Sequence, residues 1–187
     1  MVRGDRELRF ETQPGVFSAD GPDQGTLLLL DAIESSVKPH QIVLDLGTGA
    51  GVVGIALAPL LSRGEMWMVD VDIRAIRCAE RNVDRNHITN AHVILGDVTL
   101  DLPKKLRFDL VVANPPTHDG REVLSQFVDQ AHHVLKPGGS LWLVVNRLLS
   151  VKDLMMVEFG EAEVITKRKG FVILRSTKAR RARTAGP

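Results

Sequence analysis

Val43-Leu44-Asp45-Leu46-Gly47-Thr48-Gly49-Ala50-Gly51 decides how this chain is read. Residues 41–46 are an apolar run suited to a buried strand, three glycines follow at alternate positions, and a helical pattern covers 51–62. Strand, glycine turn and helix in that order start an alternating β/α chain, and the alternation continues outward. Residues 65–69 read as a second strand. Ile73, Ile76, Ala79 and Val83 recur at helical spacing, with Arg74, Arg77, Arg81 and Arg85 turned elsewhere. Residues 91–95 and 108–113 are the third and fourth strands. Leu124, Phe127, Ala131 and Val134 mark a helix that Lys136-Pro137-Gly138-Gly139 stops, and 140–145 is the fifth strand. A helix over 151–158 and a hairpin of 162–166 with 171–176 close the pattern.

Such alternation predicts an α/β fold, a mostly parallel sheet with helices on both faces. Pro59 is expected to kink or shorten its helix by removing the bond to Ile55. Upstream, 8–12 read as a short strand and 14–23 as a loop. Thr26 reads as the N-cap of a helix over 26–36 that Pro39 ends. With no repeat or linker, one domain over 1–178 is expected, with 1–23 as an extension and 179–187 as a basic tail.

The chain has 187 residues, 44% hydrophobic and 25% charged, ordinary values for a globular domain. No apolar run is long enough to span a bilayer, and the charged start does not read as a signal peptide. The single Cys78 cannot form an intrachain disulfide, so a cytoplasmic location is expected. Nothing sets the oligomeric state; a monomer is slightly preferred. The histidines His87, His92, His132 and His133 lack metal-ligand spacing, so no metal is expected.

The net charge of +1 conceals an asymmetry. Residues 167–187 hold eight bases and no acid, which leaves 16 bases against 23 acids on 1–166, a balance of about −7. A basic end on an acidic body points to a polyanion partner or to a solubilising tail.

In an open parallel sheet ligands bind beyond the strand carboxyl ends, near the reversal of strand order. Asp45, Gly47, Thr48, Gly49 and Gly51 form a candidate cofactor loop there. Asp70, followed by Val71, ends the second strand, where a carboxylate can accept from two ribose hydroxyls. Asp97 is placed for an adenine amino group, with Val98 or Ile73 on the ring face. Asp45 would meet the ammonium of a methionine moiety, directly or through water. A rival reading exists: Gly49-Ala50-Gly51-Val52-Val53-Gly54 satisfies the dinucleotide fingerprint, with Asp70 about 20 residues on. Asp45 disfavours it, because the carboxylate would lie near a pyrophosphate.

The fourth strand ends in Asn114-Pro115-Pro116. Prolines restrict this stretch, so the Asn114 side chain and the Pro115 carbonyl are expected to be two nearly rigid acceptors. Accepting both N–H groups of a planar amine would favour a pyramidal nitrogen whose lone pair can attack a methyl carbon. Together the two loops suggest methyl transfer from S-adenosylmethionine to an amino or amide nitrogen.

Longer stretches resemble a known family. Pro14-Gly15-Val16-Phe17-Ser18, Asp20-Gly21, Asp23, Gly25-Thr26, the glycine loop, Asn114-Pro115-Pro116 with His118-Asp119-Gly120, and Leu135-Lys136-Pro137-Gly138-Gly139 are similar to the small-domain methyltransferase superfamily. Within it the chain most resembles the ribosomal RNA small-subunit guanine-N2 methyltransferase C family, over roughly 8–178. The resemblance implies a Rossmann-like fold with seven strands and a reversed last strand, S-adenosylmethionine as donor, and guanine N2 of ribosomal RNA as acceptor. It also places Asn114 in the cofactor site and Phe17 and Thr117 near substrate; by position, His118 after the Asn-Pro-Pro loop and Arg147 after the fifth strand are expected either to touch substrate or to serve structure. Adenine N6, protein glutamine N5 and an inactive RNA-binding scaffold are the alternatives. Two departures stand out. The position after Asn-Pro-Pro is usually aromatic but here is Thr117, so either Phe17 supplies the stacking platform or the target differs. Bacterial members often carry an extra N-terminal half that helps hold RNA. This sequence resembles shorter relatives, and its basic C-terminal segment is expected to compensate.

Overall fold

The computed structural model describes residues 1–12, 23–98, 100–115, 120–146 and 148–180. A small hairpin, β1 (Val2–Arg3) with β2 (Arg6–Glu7), precedes helix α1 (Gln24–Ile33). Then follow β3 (Ile42–Leu46), α2 (Val52–Leu57), β4 (Glu65–Asp70), α3 (Ile73–Arg85), β5 (Ala91–Leu95) and β6 (Phe108–Ala113). The chain continues with α4 (Arg121–Val134), β7 (Leu135–Val145), α5 (Leu148–Phe159), β8 (Glu163–Arg168) and β9 (Phe171–Thr177).

Seven strands form one sheet in the order β5-β4-β3-β6-β7-β9-β8. Every pair from β5 to β7 is parallel, and β9 runs antiparallel between β7 and β8. The chain builds outward from β3 to β5, then returns to lay β6 on the other side of β3. That reversal opens a crevice between the carboxyl ends of β3 and β6. The expected seven-stranded sheet with a reversed last strand is therefore what forms.

Side chains on a strand alternate between faces, and β6 displays this clearly. Leu110 and Val112 join the cluster containing α1 and α2, whereas Val111 and Ala113 join the cluster containing α4 and α5. Each face of the sheet thus has its own apolar layer. Leu29, Leu30 and Ile33 of α1 are fully enclosed in the first, and Phe108, Leu135 and Leu141 in the second.

Four local expectations need correction. Residues 8–12 form no strand. Leu8 pairs with Met1, and the next partners are side-chain amides one helical turn apart at the end of α3: Asn86, its C-cap, pairs with the N–H and C=O of Arg9, and Asn82 with those of Glu11. Asp23, rather than Thr26, caps α1, because its carboxylate accepts from the Thr26 N–H at 2.9 Å. The α1 helix proper ends at Ile33, with a 3-10 turn over Glu34–Ser36. Finally, β7 begins directly after α4. Phe108 pairs with Leu135 and Leu110 with Ser140, so residues 136–139 bulge out of the ladder rather than separating helix from strand. Lys136 of this bulge bonds both oxygens of Asp109 at 2.9 Å. Pro59 behaves as expected, ending α2 in a 3-10 turn over Ala58–Leu60.

Candidate active site

A cavity of about 510 Å³ opens over the strand carboxyl ends, in the size range of small-molecule sites. The loop after β3 contributes Gly47 and Gly49 to its wall. The loop takes its shape from two carboxylates. Asp45, only 2% exposed, accepts from Thr48 Oγ1 at 2.6 Å and from the Gly54 N–H at 2.9 Å with the same oxygen. Asp70 accepts from the N–H of Gly49 and of Asp72, both at 2.9 Å, one on each oxygen. Gly47 has φ +71°, and a Cβ there would lie 2.9 Å from the Phe127 ring. Glycine therefore serves both the turn and the close approach of α4.

Burial raises the Asp45 carboxyl to about 6; the bonds from Thr48 and Gly54 oppose this, and the charge of Asp70 adds to it. Asp45, Thr48 and Gly51 sit behind the loop and do not line the cavity. Asp45 reads as a loop fastener, and Gly51 stands at the N-cap of α2. The other cofactor candidates, Gly47, Gly49, Asp70, Val71, Asp97, Val98 and Asn114, all line it; Ile73 does not. Each Asp70 oxygen holds one backbone bond and keeps capacity for another. Asp97 Oδ2 accepts from Gln130 Nε2 at 2.8 Å.

Sequence reasoning missed the α4 wall. Val123, Gln126, Phe127 and Gln130 fall three or four residues apart on one face and close the cavity. That spacing was visible, but the two glutamines were passed over beside the stronger apolar period of Leu124, Ala131 and Val134.

The Asn114 amide has a fixed direction. Its Nδ2 donates to Asp23 Oδ2 at 3.1 Å and to Thr26 Oγ1 at 2.9 Å. The Thr26 hydroxyl in turn donates to Asp23 Oδ2 at 2.9 Å. A carboxylate can only accept, so the amide nitrogen must face Asp23. Both Nδ2 protons are then engaged, and Oδ1 is the polar atom left for a ligand. In the sequence Asp23 stands only as a matching position and Thr26 as that and an expected N-cap; this network gives both a role beside Asn114. Pro115 is buried and does not line the cavity. Pro116, Thr117, His118, Asp119, Phe17 and Arg147 lie outside the described residues.

The family described as Methyltransferase small domain matches residues 7–175. A ribosomal RNA small subunit methyltransferase C from Pasteurella multocida is 37% identical over 171 residues, which are 89% of this chain and 51% of that protein. YbxB of Bacillus subtilis is 29% identical over 92% of this chain and 87% of its own length. Among solved structures, the T. thermophilus 16S rRNA N2 G1207 methyltransferase (RsmC) in complex with AdoMet and guanosine superposes with a TM-score of 0.81. It is 33% identical, over 90% of this chain and 47% of that one. The chain thus spans about half the length of the methyltransferase C relatives it matches.

Proposed function

The chain belongs to the methyltransferase small-domain family, and from that premise we propose that it transfers a methyl group from S-adenosylmethionine to guanine N2 of small-subunit ribosomal RNA. The observation that carries this reading is the anchored Asn114 amide. A cavity wall offering a fixed acceptor, with its donors already occupied, suits a substrate that arrives presenting N–H groups.

The residues present fit the cofactor. Asp70 has acceptor capacity for a ribose diol, Asp97 for an adenine amino group, and Val98 and Phe127 offer apolar walls. Bound S-adenosylmethionine supplies an electrophilic methyl carbon on a sulfonium sulfur. Gly47 and Gly49 let the backbone approach the ligand without a Cβ in between.

Asn114 Oδ1 accepts an N–H of the exocyclic amine, draws the nitrogen out of conjugation with its ring and steadies positive charge as it develops there. The Pro115 carbonyl, expected as a second acceptor, belongs to a buried residue outside the cavity lining and is given no part in this reading. No strong base is required among the protein's residues, because the methylated nitrogen is acidic and gives its proton to water. Holding the amine and the donor in line supplies much of the rest of the acceleration. The RNA partner is ribosomal RNA or a particle that contains it, met in the cytosol. Among the described residues no helix is long and apolar enough to cross a membrane.

The test is transfer of labelled methyl to small-subunit particles, large-subunit particles, free RNA and protein, with the product identified by mass spectrometry. N2-methylguanosine is expected. N6-methyladenosine or methylglutamine would move the assignment to another planar amine, and no transfer at all would leave a binding scaffold.

A further inference from the structure

The basic C-terminal segment does not form one patch. In the antiparallel strand β9, Val172 pairs with Val145 at the carboxyl end of β7, and Thr177 with Ser140 near its start. The two ends of β9 therefore lie at opposite edges of the sheet. At the far edge Lys178 is committed to structure, and Arg180 is exposed but lies a sheet's width from the cavity. Lys178 Nζ bonds the carbonyls of His132 and Leu135, and the Arg180 side chain lies against Gly138. Midway, Arg175 pairs with Glu163 and lies over the Trp142 ring.

At the cavity edge stands the tip of the β8–β9 hairpin, where Lys167 and Arg168 end β8 and Lys169-Gly170 make the turn. All three bases are exposed, and their side chains have no ion pair or hydrogen bond among the described residues. Lys169 and Gly170 have φ of 50° and 82°. The turn is seated on the helix that fixes Asn114. The Phe171 ring packs on Gly25 so tightly that a Cβ there would lie 2.8 Å from it. Between turn and helix runs a groove of about 220 Å³, lined by Gln24, Leu27, Leu28, Asp31, Arg168 and Lys169. The one acid in it, Asp31, is neutralised by its ion pair with Arg3. The groove starts at Gln24, next to Asp23, and strand spacing sets β9 only about 10 Å from β6.

We infer that the Lys167–Arg168–Lys169 tip is a phosphate-docking surface, which holds the sugar–phosphate backbone of the RNA strand beside the base presented to Asn114. Unpaired cations have no ion pair to break before turning toward phosphate, and arginine offers the paired N–H geometry that a phosphate accepts. Chain pairing to the far edge leaves the remaining described bases of this segment too distant or too engaged to share that role. The inference rests on the RNA reading above.

The experiment compares the full chain with a variant carrying Lys167→Gln, Arg168→Gln and Lys169→Gln, and with Arg180→Gln as a far-edge control. Binding of a fluorescein-labelled single-stranded oligoribonucleotide is followed by anisotropy across a salt series, methyl transfer to RNA is measured as kcat and KM, and cofactor affinity is measured by calorimetry. Three lost single-strand phosphate contacts should make the log–log salt slope shallower by about 2 and weaken binding about tenfold or more at moderate salt. KM for RNA rises accordingly, while kcat, cofactor affinity and Arg180→Gln stay at wild-type values. Equal slopes in the triple variant and wild type overturn the docking surface. If the triple variant is unaffected but wild type still methylates RNA, the turn fails and the function stands. If wild type transfers no methyl to RNA, the function fails, and the salt slope alone still decides the turn.

Discussion

Carboxylates do different work on the two sides of the cavity. On the glycine-loop side, Asp45 and Asp70 accept from backbone N–H groups of Gly54, Gly49 and Asp72, so they shape main chain. On the α1–β6 side, Asp23 caps a helix with one oxygen and with the other clamps the Asn114 amide. One side makes a cradle whose polar groups satisfy one another. The other makes a single directional acceptor. Similar residues thus provide a rigid receptacle and an aimed functional group: Asp45 and Asp70 hold the loop's own groups, whereas Asp23 holds an amide whose oxygen is left for a ligand.

The largest break in this contrast comes from the aimed group itself. Asn114→Ala should lower kcat by roughly 10²–10³, the scale for one preorganised hydrogen-bonding group. Cofactor affinity measured by calorimetry should change far less, because the loops after β3 and β4 are untouched. Normal turnover in this variant would remove Asn114 from the chemistry.

The receptacle side is probed through acidity. Asp45 binds its proton more tightly folded than unfolded, with its carboxyl raised to about 6. The stability tied to that proton is present in full below the unfolded value, near pH 4, and is lost as pH rises toward 6 and above. Asp45→Asn removes the titration and keeps an oxygen acceptor for Thr48 and Gly54. Urea unfolding from pH 4 to 7 should therefore show wild type losing ground to Asp45→Asn by up to roughly 3 kcal/mol. Parallel stability curves would mean that Asp45 stays ionised throughout.

Asp23→Ala tests whether the clamp matters only through Asn114. Loss of the cap should cost about 1 kcal/mol of stability. A freed amide should lower kcat about tenfold, less than removing it outright. The decisive comparison is the double variant: in an Asn114→Ala background, Asp23→Ala should cost stability again but no further rate. An additive rate loss would give Asp23 a role of its own.

The sheet was legible because its strands are apolar runs punctuated by glycine and proline, and both signals are local. The glycine loop and Asn114 were legible for the same reason. What escaped notice depends on partners distant in sequence. Residues 8–12 have a strand-like pattern, yet Arg9 and Glu11 pair with amides at the end of α3, more than 70 positions away. Thr26 and Asp23 are both good capping residues; the sequence points to Thr26, but Asp23 holds the cap while the Thr26 hydroxyl stands between Asp23 and Asn114, 88 positions on. The basic segment looked continuous because sequence does not reveal that one strand carries its two ends to opposite edges.

Gln130 offers the finest test, because it lies between the two kinds of behaviour. Its amide reaches from α4 to Asp97, a side chain steadying a side chain, yet Asp97 belongs to the cradle. If Gln130 only positions Asp97, then Gln130→Leu keeps the helix and much of the volume, and removes one charge-assisted hydrogen bond. Such a bond is worth about 1.5 kcal/mol in net terms, which sets an expected weakening of cofactor binding of about tenfold. The loss should be smaller with an analogue lacking the adenine amino group, because Asp97 would then have less to accept. kcat at saturating cofactor should be unchanged, since Asn114 and its clamp lie on the other wall. A fall in kcat with intact cofactor affinity would place Gln130 with the aimed group and dissolve the distinction between the two sides.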